Sequence, residues 1–239
     1  MTEIQNTPLS RRGLIAGVIG AGLVAAACGA APKSITASRP AAGGLPAPSP
    51  RAATPTPATR KFAPTPQDVQ IAQLAAGLEV LAVGTYTAAL DAATAGALGD
   101  VPPAVAEFVT TAKAHHEAHR DAWNEVLTSS GAAAVTAPNA TLKPTVDSAF
   151  AAVTDVAGAA GLALMLEQIA AATYLNAQGV LTDKAAVELA GSIQVVDAQH
   201  ASVLLFVLGQ YPVPDTFATV DAAVGVEGVS GDAGMPSTK

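Results

Sequence analysis

Two stretches of this chain place apolar residues at alternating intervals of four and three. Val105, Val109, Ala112, His116, His119, Trp123 and Val126 form one series, and Ile193, Asp197, His200, Leu204 and Val207 the other. Such a stripe is the core-facing seam of a bundle helix. Two further stretches, LAAGLEVLAVGTYTAAL and LALMLEQIAAATYLNAQ, are apolar almost all round, as helices buried in a domain are. Local signals set the ends. Thr65-Pro66-Gln67-Asp68 supplies a capping hydroxyl, a first-turn proline and a first-turn acid, and Thr182-Asp183 caps a later helix. Gly96, Gly131 and Tyr211-Pro212 read as stops. The spacing predicts helices over about 66–93, 103–129, 155–178 and 183–209. Residues 132–143 read as a crossover, and 144–153 as a short helix or the lead-in to the third. No Val/Ile/Thr alternation suggests a strand. The expected fold is all-α: an antiparallel four-helix bundle over 65–211, with its long connection between helices 2 and 3.

The pattern repeats. Glu79 and Glu167 are each the only charge in an apolar run of more than 20 residues, lie 88 residues apart, and each precede a tyrosine by seven (Tyr86, Tyr174). Each half of the domain is thus a Glu-bearing helix followed by a His-bearing helix. A lone carboxylate on a buried helix is costly unless something pairs with it. His116 and His119, and Asp197 and His200, stand three apart on the inward seams, so each pair shares a face. Two glutamates from two helices, with two-residue ligand pairs from the other two, are how bundles build metal sites. Carboxylate and imidazole donors suit iron, manganese or zinc. Tyr86 and Tyr174 lie about 10 Å along the helix axis from their own glutamates. They are expected as core tyrosines bonding across the bundle beside the ligands. His115 is expected at the edge of the seam, Trp123 as a core filler, and Arg120-Asp121 as an ion pair.

On Glu79-x6-Tyr86, His116-x-x-His119, Glu167-x6-Tyr174 and Asp197-x-x-His200, in that order, the chain over about 70–208 resembles the ferritin-like superfamily. It looks most like the bacterial exported ferritin-like domain proteins of the desiccation-related type. The resemblance implies a divalent metal, iron first with manganese or zinc as alternatives, held by Glu79, His116, His119, Glu167, Asp197 and His200. In the family pattern the first member of each pair on helices 2 and 4 is a bridging Glu. Here His116 and Asp197 stand there, making three carboxylates and three histidines. Asp is one methylene shorter than Glu, and neutral imidazole does not bridge two metals. One ion, two ions and a vestigial site all stay open.

The front of the chain adds an address. Ser10-Arg11-Arg12-Gly13-Leu14-Ile15 reads as a twin-arginine signal over residues 1–27. The weakly apolar run Gly13–Ala27 is shorter than the roughly 20 residues a membrane span needs. It ends in Ala25-Ala26-Ala27-Cys28, which resembles a lipobox, with Ala25 where Leu is usual. Cys28 is the only cysteine, which excludes an intramolecular disulfide. Residues 28–64 read as a Pro/Ala-rich disordered linker, and 212–239 as a flexible tail. The expected location is outside the cytoplasmic membrane, anchored through lipid on Cys28 or released to the cell-wall space. The bundle segment carries 14 acids against four bases, which disfavours nucleic acid as a partner. A homodimer fits the pattern and a closed storage cage fits poorly. No phosphate loop, nucleophile elbow or paired-thiol motif is present. The expected function is a tethered metal-binding protein of the cell envelope. Alternatives are a non-catalytic bundle with a degenerate site, acting in envelope structure or stress protection, and a di-metal oxidase or peroxide scavenger.

Overall fold

The structure, a computed structural model, describes residues 61–225. The expected signal with Arg11 and Arg12, the acceptor Cys28, the linker up to residue 60 and the tail beyond 225 lie outside the described residues. Five α-helices and no strand occur among those described: α1 (Pro66–Thr94), α2 (Pro103–Ser129), α3 (Lys143–Ala151), α4 (Val156–Gln178) and α5 (Lys184–Val207). Helix α1 packs along α2 and α4 along α5, and the two pairs meet through α1 with α4 and α2 with α5. The stretch expected as a lead-in is the separate helix α3, lying against α1 and α4. Helix α5 stops at Val207, two residues before the predicted end, and Gly209 follows at φ 71°.

The helix starts are built by short polar side chains. Thr65 Oγ1 accepts from the Asp68 N–H at 3.3 Å while Asp68 Oδ2 accepts from the Thr65 N–H at 2.9 Å, a reciprocal capping box. Asp155 caps α4 by accepting from the Gly158 N–H at 2.7 Å, and Asp183 caps α5 by accepting from the Ala186 N–H at 2.8 Å. Asp68 does more than cap. Its carboxylate also accepts from the Thr182 N–H and hydroxyl, both at 2.7 Å, and so clips the start of α1 to the start of α5. Burial raises the Asp68 carboxyl pKa, but the donors of Thr182 and Thr65 outweigh it and leave the pKa below its ordinary value.

The crossover is pinned at two points. Asn124 of α2 exchanges two hydrogen bonds with the backbone of Val135 (2.7 and 3.1 Å), and the Asn139 N–H donates to the Gly77 carbonyl at 2.8 Å. After α5 the chain forms no further helix or strand up to residue 225, yet it does not leave the domain. Val224 is buried, and its N–H donates to Thr173 Oγ1 at 3.0 Å.

The apolar core has three parts. One gathers Ile71, Trp123, Leu127, Tyr174, Leu189 and Ile193. A second gathers Tyr86, Ala112, Leu164, Leu204 and Leu205, with Phe108 against it. The third seals the α1–α4 flank with Leu142 and Val146 of the crossover segment and Val224. On each of the four long helices the inward polar residues fall between the stretches that build the first two parts. Helices α1 and α4 are apolar and long enough, by length and composition alone, to cross a membrane. In this fold their apolar faces meet one another and their single glutamates point to the core.

Candidate metal centre

Four helices deliver six side chains to one place. Glu79 comes from α1, His116 and His119 from α2, Glu167 from α4, and Asp197 and His200 from α5. Glu79, His116, Glu167 and Asp197 are at most 1% exposed, and His200 and the more accessible His119 complete the set. The inward seams of α2 and α5 and the repeat-related glutamates thus converge, as the 3.6-residue period requires.

His116 is the hub. Its Nδ1 lies 2.7 Å from Glu79 Oε2 and its Nε2 lies 3.0 Å from Glu167 Oε1. Burial lowers the His116 pKa, but the Glu167 and Glu79 charges and their hydrogen bonds dominate and hold it well above the ordinary value. The two glutamates feel the converse. Burial raises each, yet the His116 charge and hydrogen bond, helped by His119 for Glu79 and by His200 for Glu167, bring both to about 2. The mutual shifts favour a protonated imidazole between two ionised carboxylates.

The tyrosines bond across the repeat. The Tyr86 hydroxyl of α1 donates to Glu167 of α4, and the Tyr174 hydroxyl of α4 donates to Glu79 of α1. Burial first, then the neighbouring carboxylate charges, pushes both phenols well above their ordinary pKa. Trp123 does more than fill space: its indole N–H donates to Tyr174 Oη at 3.0 Å, with the two rings stacked. Tyr86 instead stacks on His116, 5.5 Å between centroids. His115 is half-buried and in contact: its Nδ1 lies 3.0 Å from His200 Nε2 and the rings stack 5.2 Å apart. Phe108, which the sequence reading passed over, meets His200 edge-on at 5.8 Å. Its place seven residues before His115 was the available signal. Arg120 and Asp121 pair at the surface of one helix.

Asp197 departs from this pattern of satisfied groups. Both of its carboxyl oxygens, and Nδ1 of His119, are buried without a hydrogen-bond partner. Burial, then the Glu79 charge, with Glu167 adding to it against the pull of His116, raises the Asp197 pKa well above its ordinary value. Orphaned buried polar atoms are rare and costly. Here they sit at suggestive spacings. His119 Nδ1 lies 3.7 Å from Asp197 Oδ1 and 3.7 Å from Glu79 Oε2, and His200 Nδ1 lies 4.0 Å from Asp197 Oδ1. These separations are too long for hydrogen bonds. They suit donors around one cation with bonds of about 2.1 Å. Two ligand groups can be traced, each with its donor atoms within 4.8 Å of one another: His116, Glu167, Asp197 and His200, and Glu79, His116 and His119. The residues present fit a divalent metal.

An all-helical fold around a buried carboxylate–imidazole cluster defines a class, that of helical proteins with a core site able to take a metal. Residues 67–210 match the family model described as a ferritin-like domain, and the chain belongs to that family. No curated protein and no solved structure matches it significantly.

Proposed function

We propose that this protein is an exported, lipid-anchored ferritin-like protein that binds a divalent metal at the cell envelope, its long helices forming an antiparallel four-helix bundle. The carrying observation is the trio of buried orphan atoms, Asp197 Oδ1, Asp197 Oδ2 and His119 Nδ1, facing Glu79 and His200. A cation would satisfy such atoms. The donor groups able to hold one are His116, Glu167, Asp197 and His200, and Glu79, His116 and His119. The mixed oxygen and nitrogen donors suit iron first, then manganese or zinc. A bound metal of this kind supplies Lewis acidity and, for iron or manganese, redox chemistry.

The occupied His116 favours one ion over two. Both of its nitrogens already serve the glutamates, and it belongs to both donor groups, so the two groups cannot each take an ion that it ligates. Burial and the Glu79 and Glu167 charges raise the Asp197 pKa, so a metal at its carboxylate competes with protons and acid opposes loading. Fe(II), Mn(II) or Zn(II) added anaerobically to the chelated protein is expected to raise the melting temperature, and Asp197→Asn is expected to abolish the shift. An equal shift in wild type and variant would contradict the assignment. Export and anchoring rest on the twin-arginine pattern at Arg11-Arg12 and on Cys28. Membrane-fraction protein carrying an acylated Cys28, lost in Cys28→Ser, is the expected result.

A second reading, a metal-free hydrogen-bonded core, draws on the closed Tyr86–Glu167–His116–Glu79–Tyr174 chain. It requires the same stability before and after exhaustive chelation.

A further inference from the structure

His116 and His200 use their ring nitrogens differently. Both nitrogens of His116 meet carboxylates. His200 of α5 divides its pair. Its Nδ1 faces the cluster, 3.3 Å from Glu167 Oε2 and 4.0 Å from Asp197 Oδ1. Its Nε2 lies 3.0 Å from Nδ1 of His115, across on α2, with the two ring planes 11° apart. Phe108, also of α2, meets the same ring edge-on, 5.8 Å between centroids. Phe108 and His115 stand seven residues apart, about two helical turns, so one face of α2 meets the His200 ring at two places.

The duplication does not account for His115. Helices α2 and α5 correspond at an offset of 81 residues, which sets His116 against Asp197, His119 against His200 and Trp123 against Leu204. The same offset sets His115 against Val196, whose side chain accepts no hydrogen bond. The imidazole on His200 is therefore particular to one half. A ligating imidazole needs its lone pair on the nitrogen that faces the ion, which leaves the ring proton on the other nitrogen. That outer N–H almost always has an acceptor, which fixes the tautomer and the direction of the ring. In His200 the nitrogen facing the carboxylates is Nδ1, so ligation puts the proton on Nε2, and the acceptor within reach is Nδ1 of His115.

We propose, resting on the metal reading above, that His115 is a positioning residue of the site: by accepting from the His200 Nε2–H it holds His200 in the tautomer whose Nδ1 ligates. The test is the Zn(II) affinity of the full chain, by competition with a chromophoric chelator, for the wild type, His115→Phe and His115→Asn. The Phe variant keeps a ring beside His200 and removes the acceptor, whereas the Asn side chain offers a carbonyl oxygen close to where Nδ1 was. His115→Phe should bind Zn(II) about ten- to a hundredfold more weakly, the usual loss when such a partner is removed. His115→Asn should keep most of the affinity. His115 is only half-buried, so the chelated forms of all three should melt at similar temperatures, which separates lost ligation from a lost fold. Nitrogen NMR of the Zn(II)-loaded wild type needs no variant, and the chain has only four histidines to assign. The His200 proton should be found on Nε2, with Nδ1 on the metal. Wild-type affinity in folded His115→Phe, a loss in His115→Asn as large as in His115→Phe, or a His200 proton on Nδ1 in the loaded protein would overturn the proposal and leave the metal reading standing. A wild type that binds no Zn(II) would overturn both.

Discussion

The two ends of the helical domain treat the same polar cluster differently. At the end where α1 and α5 begin, Trp123 stacks on Tyr174 and donates to its hydroxyl, and Asp68 clips the two helix starts together. At the other end Tyr86 plays the part of Tyr174, but Leu204 stands in for the tryptophan and a cavity of about 50 Å³ is left. Both ends keep the tyrosine-to-glutamate bond that crosses the repeat. The tyrosine-to-glutamate bond is thus common to both ends, while the packing behind it diverges. The duplicated framework positions the site, and one end is left with room.

The sharpest way to break this comparison is truncation at the matched positions. Trp123→Ala removes a fully buried indole and its hydrogen bond and should cost about 4 kcal/mol. Leu204→Ala should cost about 2 kcal/mol, near the bottom of the range for buried leucine, because its neighbours already border open space. Denaturant unfolding of both variants checks the ordering; equal costs would mean that the two ends are equally packed.

Acid comes next. Glu79 and Glu167 titrate near 2 in the folded chain, against an ordinary value of 4.5. Their folded values are depressed, so the stability they contribute is present above about pH 4.5 and is lost as pH falls towards 2. His116 has the opposite sign: its raised value favours the fold below its ordinary value of 6.5 and fades only at alkaline pH. Chelated protein should therefore lose roughly 2–3 kcal/mol per glutamate between pH 5 and pH 2, partly offset by Asp197, whose raised pKa works the other way. In Glu79→Gln/Glu167→Gln that slope should largely disappear in pH-dependent unfolding.

A smaller effect separates the clip from the cluster. Asp68→Ala should cost about 2 kcal/mol, since it removes the acceptor of the Thr65 and Thr182 donors at two helix starts. Hydrogen exchange should rise first at the beginnings of α1 and α5 and leave residues near Tyr86 protected. Smallest of all, Tyr86→Phe and Tyr174→Phe should each cost about 1–2 kcal/mol by removing a donor to a carboxylate. The Tyr174 change should cost more, because Trp123 loses its acceptor too.

Much of this was legible in the chain. The seams at 105–126 and 193–207, the caps at Thr65 and Asp183, and the repeat-related glutamates place the helices and bring the six inward residues within reach of one another. Periodicity and capping are local signals, and they survive folding. What was not legible depends on which helix lies beside which. Asp68 reads as a first-turn acid, and nothing near it in sequence announces Thr182. Tyr86 and Tyr174 follow their own glutamates by seven residues but bond the glutamate of the other half. The stacking of His115 on His200 and the docking of Val224 on Thr173 likewise need tertiary neighbours. The small cavity emerges only when Leu204 is set against Trp123 in three dimensions.

The central claim is that Asp197 and His119 are orphaned because they are ligands. The most direct test is metal content by mass spectrometry of the purified protein and of its Asp197→Asn/His119→Gln variant, after anaerobic loading and desalting. About one Fe, Mn or Zn per chain in the wild type, and none in the variant, is the predicted result. No retained metal in the wild type, or equal metal in both, would contradict the account and leave the polar cluster as a structural core.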